Sequence, residues 1–118
     1  MLSLLQDHAQ YPRFRREVLD FPFVGHAANP FCADAVDIGI RIGEGKRIAD
    51  AGFSGTGCAL CVGASSLLCE YILGKSISEL APLQKEYLQG EEIGRMREGC
   101  VTVSAVALQR AIALYASL

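Results

Sequence analysis

The sequence predicts an α+β fold, a small antiparallel sheet of about three strands with helices packed on one side. Two patterns carry this. Val36, Ile38, Ile40 and Ile42 alternate with Asp37, Gly39 and Arg41, the period of two of a half-buried strand over residues 35–42. Val101, Ala105, Leu108, Ile112 and Tyr115 fall on one stripe of a helix over Val101–Leu118. A length of 118 residues with 51% hydrophobic side chains suits one packed domain, residues 1–118, and excludes a disordered chain.

The elements follow in order. Residues 2–10 are apolar-rich and read as a short helix stopped by Tyr11-Pro12. Arg13, Arg15 and Arg16 come next, either a solvated face or a docking surface for an acidic partner. Residues 18–27 have strand composition, and Pro22 confines that strand to a sheet edge. After the strand over 35–42, Gly43-Glu44-Gly45-Lys46 is a turn, and Arg47–Phe53 returns as the partner of a hairpin. Cys61–Leu73 fits a helix ending at Gly74, whose Gly63, Ala64, Ser65 and Ser66 permit close approach to the sheet. Ser76, followed by Glu79, caps a short turn to Leu80, and residues 82–93 are polar and helical or irregular. No repeat is visible, and the glycines at 43 and 45 lack the third glycine and following helix of a phosphate loop.

Charge and hydropathy exclude whole classes of function. A net charge of -2 and a pI near 5.6 oppose nucleic-acid binding. The longest uncharged run, Ala51–Cys69, is broken by glycines and hydroxyls and does not read as a membrane span. Asp7 interrupts the apolar start and no basic segment precedes it, so no export signal is readable and a reducing, cytoplasmic setting is expected.

In that setting the five cysteines are free thiols rather than a disulfide framework. Cys69, between Leu68 and Ile72, reads as a small buried hydrophobe. Cys32, Cys58 and Cys100 each sit at a break in the pattern: after Asn29-Pro30, at the end of Gly55-Thr56-Gly57, and after Gly99 at the opening of the last helix. A helix N-terminus stabilises a thiolate. In Cys32-Ala33-Asp34 the thiol and carboxylate two residues apart face the same way, so both can reach one ion. Three sulfurs and one oxygen suit tetrahedral Zn²⁺, and thiolates equally suit iron–sulfur centres. Asp37 is on the other strand face, toward solvent. His8 and His26, the only histidines, read as structural or solvated.

These segments together resemble the NifU/IscU/SufU scaffolds of iron-sulfur cluster assembly. Asn29-Pro30-Phe31-Cys32-Ala33-Asp34 is similar to their first-cysteine motif, usually Cys-Gly-Asp. Phe53-Ser54-Gly55-Thr56-Gly57-Cys58-Ala59 resembles their second, followed by a small-residue helix ending in Gly74-Lys75-Ser76. Cys100 matches the third, and Asp7-His8 with Tyr11-Pro12-Arg13 is similar to an N-terminal segment. The resemblance implies a SufE/NifU-like version of the α+β fold and a scaffold rather than a turnover enzyme. Such a protein takes persulfide sulfur from a cysteine desulfurase, builds a cluster with iron (of the 2Fe–2S type), and passes it to recipient apo-iron-sulfur proteins. It implies Cys32, Asp34, Cys58 and Cys100 as ligands, with Zn²⁺ able to occupy the same site; Cys100 is expected to take up sulfur first, because a helix begins right after it and Gly99 leaves its approach open. The chain departs from the pattern in several places. Ala33 replaces a glycine, Gly99 stands where relatives carry histidine or lysine, and the Leu-Pro-Pro-Val-Lys chaperone motif and the SufU-type insertion are absent. Cys61 is additional and forms Cys58-Ala59-Leu60-Cys61. That dithiol leaves open a small thiol-disulfide oxidoreductase using Cys58 and Cys61, and the metal set leaves open a zinc-stabilised interaction domain.

Overall fold

The computed structural model describes residues 4–29, 34–80, 86–88 and 98–118. Three strands form one antiparallel sheet in the order β1 (Phe23–Asn29), β2 (Asp34–Ile42), β3 (Ile48–Thr56). Around it lie α1 (Leu4–Gln10), α2 (Ala59–Ile72), the single turn α3 (Ile77–Leu80) and α4 (Glu98–Ala116), with 3₁₀ turns at Glu44–Lys46 and Glu86–Leu88. None of the described helices is long and apolar enough to cross a membrane.

The alternation in β2 sets the sheet's two faces. Val36, Ile38 and Ile40 are buried, and their register partners Ala27, Phe53 and Ala51 share that face, which packs under α2 and α4. On the other face His26 pairs with Asp37, Nδ1 to Oδ1 at 2.6 Å. Phe21 lies on Gly39 there, and Arg16 and Arg41 sit over its ring at 5.0 and 5.9 Å. The helix α4 approaches β1 so closely that a Cβ on Gly25 would sit 1.9 Å from the Ala107 carbonyl oxygen. Leu108 and Ile112 of its expected stripe are buried, and Tyr115 meets Phe23 edge-to-face at 5.4 Å.

Several boundaries move from their expected places. The first strand begins at Phe23, after Pro22, because Phe21 turns inward as a plug rather than joining the ladder; its position at the sheet edge is as expected. The hairpin strand runs on to Thr56, since its ladder with β2 continues to Ala35. The helix α2 starts at Ala59, with Cys58 at its N-cap, instead of at Cys61. The helix α4 starts at Glu98, so Cys100 lies inside its first turn rather than ahead of it. In α2, Gly63 serves helix packing rather than sheet packing. A Cβ there would meet the Leu5 carbonyl oxygen of α1 at 2.8 Å. Gly74 ends the helix region with φ +81°, and Ser76 Oγ accepts the Glu79 N–H at 3.4 Å. Of the segment expected at 82–93, only Glu86–Leu88 falls within the described residues.

The join between α1 and α2 holds a buried polar chain. The Arg13 N–H donates to Ser66 Oγ at 2.8 Å, and Ser66 Oγ lies 2.7 Å from His8 Nδ1. His8 Nε2 lies 2.9 Å from Glu70 Oε2. The donors balance when the Ser66 hydroxyl donates to Nδ1 and Nε2–H donates to Glu70. Ser66 is fully buried and already accepts a backbone N–H, so this Ser–His–Glu row is a structural fastening with no access for a substrate. His8 is therefore structural, as the sequence reading allowed.

Candidate functional site

The site forms where β2 begins and α2 begins. Asp34, the first residue of β2, is on the helix-facing side of the strand and is 1% exposed. Its Oδ1 accepts the backbone N–H of Cys58 at 3.0 Å. That N–H belongs to the N-cap of α2, one of the donors that a helix start leaves without an intrahelical partner. The other oxygen, Oδ2, is buried and has no hydrogen-bond partner among the described residues. Burying such an acceptor unpaired costs about 1–3 kcal/mol, an expense that makes sense where a cation is to be bound.

Cys58 is exposed, and its carbonyl closes the first turn of α2 by accepting the Val62 N–H at 3.1 Å. Cys61 lies one turn along the same helix and is buried. Gly57 brings these groups together. A Cβ at Gly57 would stand 2.8 Å from Asp34 Oδ1 and 3.1 Å from Cys61 Sγ. Only a hydrogen at this position lets carboxylate and thiol flank the same point. Burial, and then the charges of Asp34 and Cys58, push the Cys61 thiol up to about 12, against a partial opposing effect from Ser65. Cys69 is fully buried in the core, its thiol held protonated by burial and by Asp50, which fits its reading as a small hydrophobe.

Of the four expected ligands, the structure brings the Asp34 carboxylate to the backbone N–H of Cys58. Cys32 lies outside the described residues. Cys100 has its backbone in the first turn of α4, and its side chain lies outside the description. Among the described residues no three Cys, His, Asp or Glu side chains are gathered to hold a metal ion. What is described nonetheless fits a borderline cation: a buried carboxylate at a helix N-terminus, one oxygen unpartnered among the described residues and the Cys61 thiol across Gly57 from the other. Sequence reasoning missed Gly57, whose role depends on Asp34 arriving from 23 positions upstream.

The model of the NifU-like N-terminal domain matches residues 3–118. The chain belongs to the NifU-like N-terminal domain family. This NifU-like chain is 34% identical over 112 residues to the iron-sulfur cluster assembly scaffold protein IscU 1 of Archaeoglobus fulgidus, covering 92% of the chain and 72% of that protein. It is 27% identical over 131 residues to the zinc-dependent sulfurtransferase SufU of Bacillus subtilis, covering 94% and 88%. In fold it is similar to the N-terminal part of a nitrogen-fixing NifU-like protein from Brucella abortus, with a TM-score of 0.77, 15% identity and coverage of 98% and 94%. A SufU-type scaffold structure from Fervidobacterium islandicum gives 0.75 at 21% identity, covering 95% and 96%. The NifU-like family is thus the one the sequence resembles, and the sheet with its helices is that family's fold.

Proposed function

We propose that this chain, as a single domain over residues 1–118, is an iron-sulfur cluster assembly scaffold. It accepts persulfide sulfur from a cysteine desulfurase, binds iron or zinc, and hands a cluster of the 2Fe–2S type to apo-proteins. One observation carries the reading: Asp34 is buried at the helix-facing start of β2, with Oδ1 on the Cys58 backbone N–H and Oδ2 unpartnered among the described residues. Its relatives named as IscU scaffolds support it.

The proposed ligands are Cys32, Asp34, Cys58 and Cys100. Thiolates bind the metal firmly, while the carboxylate is a weaker, exchangeable ligand that leaves the cargo releasable. Zn²⁺ takes the same donors, and a relative named as zinc-dependent supports its occupancy here. Cys100 is the proposed first persulfide acceptor, placed in the opening turn of the 19-residue α4, where the helix dipole favours a thiolate. The chain acts as acceptor and carrier rather than as a turnover enzyme, in the cytoplasm, without nucleic acid or membrane. A chaperone that reads Leu-Pro-Pro-Val-Lys has no such motif to bind.

Metal content after anaerobic purification tests this. Iron with sulfide, or zinc that gives way to a cluster when iron and sulfide are supplied, supports the scaffold. Zinc that never exchanges points to an interaction domain, and no metal with a Cys58–Cys61 disulfide points to an oxidoreductase. If Cys32→Ser, Cys58→Ser and Cys100→Ser each leave binding untouched, the ligand set is wrong.

A further inference from the structure

The ligand set leaves one thiol at the site without a task. Cys61 is buried, three residues beyond exposed Cys58, in the turn whose closure the Val62 N–H to Cys58 carbonyl bond secures. Residues three apart in a helical turn have Cα atoms about 5 Å apart, inside the roughly 4.4–6.8 Å window of disulfides. The difference in access between the two thiols divides the labour. Cys58 can meet an incoming sulfur donor, whereas buried Cys61 is placed to meet a sulfur carried on Cys58.

We propose that Cys61 is an internal resolving thiol that releases sulfide from a persulfide carried on Cys58. The Cys61 sulfur attacks Sγ of Cys58, the inner sulfur of the persulfide. A Cys58–Cys61 bond forms, the bond to the outer sulfur breaks, and that sulfur leaves as hydrosulfide with the proton from Cys61. The electron pair comes from Cys61: its sulfur is oxidised from thiol to disulfide while the outer sulfur is reduced to sulfide. Each event consumes the persulfide and the Cys61 thiol and leaves one sulfide and one Cys58–Cys61 disulfide. The reaction matters because a persulfide carries sulfur more oxidised than the sulfide a cluster contains, and here the reduction takes place against the carboxylate of Asp34. Exposed Cys58 at the N-cap is the attackable position, and the neighbouring thiol is held in place by the fold, so the attack is intramolecular. The scaffold reading enters only through the arrival of persulfide at Cys58, either directly or passed on from Cys100.

The test uses the reduced full chain, freed of small thiols, loaded anaerobically with glutathione persulfide and freed again of reagent. Sulfide release and peptide masses are followed together. The unmodified protein should release one sulfide per loaded Cys58 and gain a Cys58–Cys61 disulfide. Cys61→Ser and Cys61→Ala should keep the added sulfur on Cys58 with a lifetime at least about tenfold longer. Cys69→Ser should behave as the unmodified protein. Thermal unfolding of each variant establishes that it is folded, and the two Cys61 replacements guard against a polar group placed in the core. Equal persulfide lifetimes with and without Cys61 overturn the proposal, as does a Cys58 that takes no sulfur. Zinc binding and cluster formation from inorganic sulfide are measured on the same Cys61 variants. Their retention alongside lost sulfide release separates this step from the scaffold reading, which fails instead if the unmodified protein releases sulfide but holds neither metal nor cluster.

Discussion

The Asp34 carboxylate caps the start of α2 through the Cys58 backbone N–H, at 3.0 Å, and its second oxygen has no partner among the described residues. One oxygen fixes the distance between the strand and the helix, and the other is available to a cation. Burial raises the stakes, because in a medium of low dielectric an unpaired carboxylate and a bound cation each count for more than in water.

Replacing Asp34 separates these two duties. Asp34→Asn keeps an acceptor for the Cys58 N–H and removes the charge, so the fold should be retained while zinc binds more weakly. Asp34→Ala removes both, opening the fourth position to a solution thiol that binds iron more firmly than oxygen does. Cluster transfer to an apo-ferredoxin should then slow on the order of tenfold. Transfer at the unmodified rate, followed by the visible absorbance of the cluster, would remove carboxylate lability from the account.

Gly57→Ala places a methyl 2.8 Å from Asp34 Oδ1 and 3.0 Å from the Cys61 Cβ. Both neighbours are held, one by a backbone hydrogen bond and one by the helix, so the loop itself must move. The expected loss is about 1–3 kcal/mol in urea unfolding, with a fall in zinc affinity larger than that for Cys69→Ser. An alanine variant of native stability and affinity would show that the loop yields at no cost.

Much of this arrangement is legible in the sequence where the signal is local. The period of two in Val36, Ile38 and Ile40 placed β2 and its buried face, and the turn at 43–46 placed the hairpin. Boundaries slipped where tertiary contacts decide: Phe21 is drawn onto Gly39 instead of into β1. The start of α2 was missed because its N-cap, Cys58, makes no side-chain capping bond and so carries none of the usual Ser, Thr, Asp or Asn signal. Asp34 was read as a ligand from its spacing to Cys32. The Cys58 N–H that anchors it, 24 residues on, is invisible to any window. The partners of His8, 58 and 62 residues away, left it looking like a solvated or structural histidine with no way to choose.

That histidine gives a stability prediction with no functional component. His8→Ala removes a buried ring and leaves the Ser66 hydroxyl, still receiving the Arg13 N–H, without its second partner. A cost of about 2–4 kcal/mol is expected from lost packing and an unpaired polar group, read as a lower urea midpoint with unchanged slope. Glu70→Gln should cost far less, since the Glu70 side chain is 56% exposed and water replaces it. Equal losses from the two variants would place the fastening at the exposed end of the chain.

Alkaline pH tests the two buried thiols. In the unfolded chain a cysteine ionises near 9.0, whereas burial pushes Cys61 up to about 12 in the folded protein and Cys69 in the same direction. Folded protein therefore holds a proton that unfolded protein has given up. Stability should be at its full value below about pH 9 and fall as pH rises from there toward 12, because the unfolded state binds fewer protons across that window. Below pH 9 these thiols should add no slope at all. Urea midpoints measured from pH 8 to pH 10.5 in metal-free, reduced protein read the effect directly. In Cys69→Ala the decline should be shallower, one of its two sources having been removed, and in the Cys61→Ala, Cys69→Ala double variant shallower still. A decline of the same steepness in all three proteins would assign the alkaline loss to other groups, and with it would go the picture of Cys61 as a thiol kept protonated by its burial beside Asp34.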